Sequence, residues 1–119
     1  MSRILIIDDD EMVLQTMQTL LQDSGYDVIA TADGPRGLEL FKGHAPDLVL
    51  LDLALPSMNG LEVLRKIRDI DRDVKIIMIT GYGSEESSQV ARRYGAYDFL
   101  QKPVGSKALL DKIHAALGV

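Results

Sequence analysis

The chain alternates short, unbroken apolar runs with longer stretches whose apolar residues recur at helical spacing. Ile4 to Ile7 is a continuous apolar run that stops at Asp8-Asp9-Asp10-Glu11, which predicts a strand over 3–7 ending in an acidic turn. Val13, Met17, Leu20 and Leu21 then fall at i, i+4, i+7 and i+8 on one helical face, with Gly25 as a left-handed stop. Tyr26 to Ala30 reads as a second strand. Asp33-Gly34-Pro35 opens a second helix, with Leu38, Phe41 and Ala45 expected inward and Pro46 closing it. Leu48 to Leu51 is a third strand, apolar at every position, followed by a helix carried by Leu61, Leu64 and Ile67 that ends near Asp71. Val74 to Thr80 is a fourth strand. Ser84, with Glu85 and Glu86 behind it, caps a fourth helix whose apolar stripe is thin, because Ser87, Ser88 and Gln89 interrupt it. That helix is expected to be the least firmly docked. Gly95 ends it, Ala96 to Leu100 is a short fifth strand, and Leu109, Ile113, Ala116 and Leu117 face a last helix inward.

Strict alternation of strand and helix, with strands apolar on both faces, implies a parallel sheet covered by helices on both sides through right-handed crossovers. At 119 residues the chain is expected to be one domain, 1–119, with no internal repeat or linker. A composition of 46% hydrophobic and 26% charged residues is that of a soluble globular protein. No apolar run approaches a membrane span and no signal peptide opens the chain, so a cytoplasmic location is expected, with no membrane partner. The net charge of -5 argues against direct nucleic-acid binding, which needs clustered cations. Cysteine is absent, which removes disulfides, thiolate metal sites and cysteine nucleophiles. His44 and His114 lie in predicted helices without an i, i+4 partner and read as surface residues.

Asp52 stands at the end of the most apolar strand, just before the loop signals Pro56, Asn59 and Gly60. In an open parallel sheet, reactive groups collect beyond the carboxyl ends of the strands. Asp8 and Asp9 follow the first strand, Thr80 ends the fourth and Lys102 follows the fifth, so all of them face one rim. Singly, each is more simply a loop residue or a cap; together they form a constellation. Three carboxylates in one cleft call for a cation or a proton, and an oxygen-only donor set suits Mg²⁺. Asp52 then remains as a nucleophile, with Lys102 and Thr80 to hold the oxygens of a transferring phosphoryl group and an aspartyl phosphate as product.

Asp8-Asp9, the segment Asp-Leu-Ala-Leu-Pro-Ser-Met-Asn-Gly from Asp52 to Gly60, Thr80-Gly81 and Lys102-Pro103 together resemble the receiver domain of bacterial two-component response regulators. The resemblance covers the whole chain. It implies a flavodoxin-like fold with strand order 2-1-3-4-5. It implies that Asp52 is the phosphoacceptor, that Asp9 binds Mg²⁺ directly and Asp8 through water, and that Ala54 adds its backbone carbonyl. Thr80 and Lys102 would bind the phosphoryl group, and the Lys102-Pro103 bond would be cis. Phe99 falls on the aromatic switch position; lacking the hydroxyl of the tyrosine found in many members, it is expected to rest inward, while Thr80 moves toward the phosphoryl group on activation. Ala54 and Tyr82 occupy the positions that tune phosphoryl lifetime, with slow self-hydrolysis expected. The donor would be a sensor histidine kinase or a phosphotransfer protein. The output partner, an attached domain or a second copy, would meet the fourth and fifth helices and the strand between them, around Arg92, Tyr94 and Tyr97. The domain would not be a turnover enzyme. Gly95 to Pro103 is similar to receivers that precede ATPase-type transcription activators and to those of hybrid kinases; a stand-alone receiver and one cut from a larger regulator both fit.

A haloacid-dehalogenase-type phosphatase also uses a strand-end Asp and Mg²⁺, but its Asp-x-Asp pattern would need an acid where Ala54 stands. Gly81-x-Gly83 has Glu86 in place of the third glycine of a dinucleotide loop and follows the fourth strand rather than the first. The remaining alternative is a receiver-like protein-binding module that is never phosphorylated.

Overall fold

The structure is a computed structural model and describes residues 2–81 and 83–119. Ten elements alternate along the chain: β1 (Arg3–Ile7), α1 (Glu11–Asp23), β2 (Asp27–Thr31), α2 (Gly34–His44), β3 (Leu48–Leu51), α3 (Gly60–Ile70), β4 (Lys75–Thr80), α4 (Glu85–Arg93), β5 (Asp98–Gln101) and α5 (Ser106–Leu117). The strands form one parallel sheet in the order β2-β1-β3-β4-β5, the flavodoxin-like order. No helix among the described residues is long and apolar enough to cross a membrane.

Strand residues alternate between two cores, one on each face of the sheet. Leu5, Ile7, Val49, Leu51, Ile76 and Met78 meet Phe41 of α2, Val63, Leu64 and Ile67 of α3, and Ala91 of α4. Ile4, Ile6, Leu48, Leu50, Ile77 and Ile79 meet Met17 and Leu21 of α1 and Leu109, Ile113 and Ala116 of α5. The central strands are thus buried on both sides, which is why Ile4–Ile7, Leu48–Leu51 and Ile76–Ile79 are apolar at every position, with Arg3 and Lys75 confined to the strand starts and Thr80 to the end of β4.

Some local expectations shift. β2 runs one residue later than the β-formers suggested, and β5 begins only at Asp98, after Tyr97 has donated its N–H to Ile76. Ala45 does not face inward: it is exposed and caps α2 in the left-handed conformation at φ 47°, its N–H on the Phe41 carbonyl. His114 is half-buried beside Tyr26, with ring centroids 6.2 Å apart, whereas His44 is exposed.

Candidate phosphoacceptor site

Register brings the acids together. Ile7 pairs with Leu51 across β1 and β3, so the next residues, Asp8 and Asp52, leave the sheet side by side, and the Asp52 N–H closes on the Ile7 carbonyl at 2.9 Å. Thr80 pairs with Gln101, and the Lys102 N–H donates to the Thr80 carbonyl at 2.9 Å, which holds the lysine at the same rim. The Lys102-Pro103 bond is cis.

The three adjacent acids after β1 serve different ends. Asp10 is exposed and caps α1, accepting from the N–H groups of Met12 (3.0 Å) and Val13 (3.3 Å). Asp9 is exposed. Asp8 is 1% exposed and accepts the Asp10 N–H on Oδ1 at 2.9 Å. Asp52, 3% exposed, accepts the Ala54 N–H on Oδ1 at 3.2 Å.

Lys102 Nζ bridges the two buried acids, 2.9 Å from Asp8 Oδ2 and 3.1 Å from Asp52 Oδ2. The Asp52 contact has hydrogen-bond geometry. The Asp8 contact is close but poorly aimed, so Asp8 Oδ2 is a buried oxygen held by charge without a well-directed hydrogen bond. Burial pushes the Asp8 carboxyl above its ordinary value, and the negative charge of Asp52 adds to the rise; Lys102 and the Asp10 N–H pull it partway back. For Lys102, burial pulls the ammonium down, but the two carboxylates outweigh it and the net shift is upward.

Asp8, Asp9 and Asp52 each offer a carboxylate oxygen, and these oxygens lie within 4.8 Å of one another. Such a set, all hard oxygens and including one poorly satisfied buried one, fits a small divalent cation such as Mg²⁺. Thr80 is fully buried beneath the rim.

The loop after β3 is pressed onto Asp52. A Cβ at Gly60 would run into the Asp52 carbonyl and lie 2.7 Å from Leu53 Cα, so only glycine permits α3 to start there. Asn59 caps α3 through the Leu61 N–H, and Ser57 donates to Asp33, the cap of α2. In the sequence Asn59 and Gly60 read only as loop signals; a glycine immediately after a cap residue is the feature that points to the close approach.

Phe99 is half-buried and packs against the α2–α4 core, with its ring against the β4–α4 loop. A Cβ at Gly83 would lie 2.6 Å from Phe99 Cε1 and 3.4 Å from the Thr80 methyl, so ring, loop and Thr80 share one space. Ala54 stands in the loop following Asp52, whereas Tyr82, the second position expected to tune phosphoryl lifetime, lies outside the described residues. Arg92, Tyr94 and Tyr97 are all exposed around α4 and the start of β5. Beside Lys102, a groove of about 550 Å³ runs between α1 and the β5–α5 segment, lined among others by Met12, Val13, Pro103 and Leu109.

A sheet of this order, with paired acids, a threonine and a lysine converging on one rim, is the frame of a phosphoacceptor domain, and the comparisons agree: residues 4–114 match the response regulator receiver domain, and the chain belongs to that family. It is 35% identical over 116 residues to the chemotaxis protein CheY of Bacillus subtilis, covering 97% of each chain. It is 40% identical over 119 residues to the C4-dicarboxylate transport transcriptional regulatory protein DctD of Pseudomonas aeruginosa, covering 99% of this chain but only 26% of DctD. Among solved structures, a CheY-like receiver domain protein from Methanospirillum hungatei superposes with a TM-score of 0.96 at 37% identity, covering 99% of this chain and 94% of the other. NtrX from Brucella abortus superposes with a TM-score of 0.93 at 31% identity, covering 98% of this chain and 27% of NtrX.

Proposed function

We propose that this receiver takes a phosphoryl group onto Asp52 from a phosphohistidine donor, a sensor histidine kinase or phosphotransfer protein, in a Mg²⁺-dependent reaction. The observation that carries this reading is the Lys102 bridge, which ties two buried acids from different strands to one cation at the end of the sheet. An Asp52 oxygen forms the new P–O bond as the donor's P–N bond breaks and the imidazole departs. The Lys102 ammonium, already 3.1 Å from Asp52, then pairs with the phosphoryl oxygens, and the Thr80 hydroxyl donates to another. Asp8, Asp9, Asp52 and the Ala54 carbonyl would hold Mg²⁺, which supplies charge neutralisation to the oxygens of the transferring group. Met12, 79% exposed at the groove beside Lys102, offers an apolar contact to the donor protein.

The switch runs from Thr80 to α4. Thr80 moves toward the phosphoryl group, Phe99 fills the space it leaves, and α4 shifts, altering the α4-β5-α5 face presented to an output domain or a second copy. Moving a switch from mostly off to mostly on takes ~5.5 kcal/mol of differential stabilisation, and an added charge of about -1.5 to -2 beside Lys102 and a metal is an adequate source. The domain catalyses only its own phosphorylation and dephosphorylation. Ala54 offers no side-chain donor or acceptor to an attacking water, which favours a long-lived adduct.

Incubation with acetyl phosphate or phosphoramidate and Mg²⁺, followed by intact-mass measurement, is expected to show one added phosphoryl group that is lost in EDTA-treated samples and in Asp52→Asn. No uptake by the intact chain with both reagents present would favour the non-phosphorylated binding module.

A further inference from the structure

The two ends of α4 are held very differently. In its first half Glu85, Glu86 and Gln89 are exposed, and no residue before Ala91 is buried. Among the described residues, the side-chain hydrogen bonds there stay within the helix, between Ser84 and Ser87. The second half is tied to three neighbours. Ala91 is in the core, Arg92 pairs with Asp98 of β5 at 3.1 Å, and the guanidinium of Arg65 in α3 lies 5.3 Å from the centroid of the Tyr94 ring.

The strongest tie is Arg68, in the last turn of α3. Its Nε and Nη2 both donate to the Gly95 carbonyl, at 3.0 and 2.7 Å, and its Nη1 donates to the Asp71 carbonyl at 3.2 Å. One guanidinium therefore joins the carbonyl just beyond the end of α4 to the cap of α3, both at helix ends where the dipole is negative. Gly95 sits at φ 102°, and a Cβ there would lie 2.7 Å from Arg68 Nε and 3.1 Å from its Cδ, so the arginine stem rests directly on the glycine.

We infer that Arg68 is a positioning residue that pins the C-terminal end of α4 at Gly95, making the helix a lever hinged there whose N-terminal end, next to Gly83 and the Phe99 ring, is the part that moves. Through these hydrogen bonds Arg68 would then set which end of α4 responds, without touching the phosphoryl group. The inference rests on the phosphoacceptor reading for what drives the lever, but the hinge itself exists in the resting protein.

Amide hydrogen exchange on the full chain tests it, in Arg68→Met, which keeps the stem and loses the donors, and in Arg68→Lys, which restores charge. In the resting wild type, the Ala96 amide, bonded to the Ala91 carbonyl, should exchange more slowly than that of Ser88, bonded to Ser84. Arg68→Met should speed exchange at Tyr94 and Ala96 by about tenfold, leave Ser88 unchanged, and be partly rescued in Arg68→Lys. Equal protection at both ends of wild-type α4, or an Arg68→Met change confined to α3, overturns the hinge. With phosphoramidate and Mg²⁺, wild-type changes should fall in residues 84–90 and spare 92–96; changes of equal size through residue 96 also overturn it. If no phosphoryl group is taken up, the functional reading fails, and the hinge is judged by the resting-state exchange alone.

Discussion

Helices α3 and α4 cover the same face of the sheet, yet one is sunk deep into the core and the other is barely attached to it. α3 sinks Val63, Leu64 and Ile67 completely into the core and starts from a glycine wedged under the Asp52 carbonyl. α4 buries Ala91 alone and fills its first half with serines and acids. Apolar burial of about 25 cal/mol per Å² holds a helix to its sheet, so the helix that contributes little of it can be displaced at little cost. The difference teaches where a small charge change at the rim can be felt: in the element whose attachment is weakest, at the end where polar contacts do not compensate.

The largest effect that would sharpen this contrast comes from truncating one apolar side chain on each helix. Leu64→Ala should lower unfolding stability by about 3 kcal/mol, whereas Val90→Ala should cost no more than about 1 kcal/mol, read from urea midpoints at constant m-value. Comparable losses would break the comparison.

Charge supplies the next test, because the pKa values of two acids, Asp8 at the rim and Asp98 beside α4, are shifted in opposite directions. Asp98 pairs with Arg92 of α4 and Lys112 of α5. Burial raises its pKa, but hydrogen bonds from Lys112, the Phe99 N–H and Arg92 outweigh it and leave the pKa below 3.8. Its contribution is therefore present above pH 3.8 and lost as pH falls through the lower folded value. Asp8 has its pKa raised above 3.8 by burial, so its ionised form costs stability as pH rises from 3.8 through the folded value. Near neutral pH, Asp98→Asn should destabilise by about 1 kcal/mol, discounted for exposed partners, while Asp8→Asn should stabilise. On acidification the Asp8→Asn gain should vanish first and the Asp98→Asn loss later, as measured by denaturant midpoints across a pH series. A gain in Asp98→Asn would contradict the assignment.

The smallest expected effect is local. Ser84→Ala removes the cap of α4, and Asn59→Ala that of α3; each costs about 1 kcal/mol of helix stability. Because no residue of α4 before Ala91 is buried, the Ser84 change should appear mainly as faster exchange in residues 87–90, whereas the Asn59 change should lower the global unfolding midpoint.

Much of this was legible in the order of residues. Four-residue apolar runs such as Leu48 to Leu51 permit little besides a doubly covered strand, and once strands alternate with helices, Asp8, Asp52, Thr80 and Lys102 must share a rim. The thin stripe of α4 was equally visible in Ser87, Ser88 and Gln89. What escaped was set by partners distant in sequence or by backbone geometry. Ala45 matches the inward spacing of α2, but the chain turns left-handed there, and the apolar methyl ends in solvent. Arg68 reads as one more charged residue on a solvated helix face; its partner, the Gly95 carbonyl, lies 27 residues away and carries no side chain to announce it. The division of labour among Asp8, Asp9 and Asp10 was only partly readable, since identical side chains acquire different tasks from which of them the sheet buries.

The claim on which the account turns is that Asp52 becomes an acyl phosphate. Borohydride reduction of the protein treated with phosphoramidate and Mg²⁺ converts an aspartyl phosphate to homoserine, and peptide sequencing by mass spectrometry locates it. Homoserine at position 52 and nowhere else is the predicted result; homoserine at another acid, or none in a protein that binds Mg²⁺, would contradict the account.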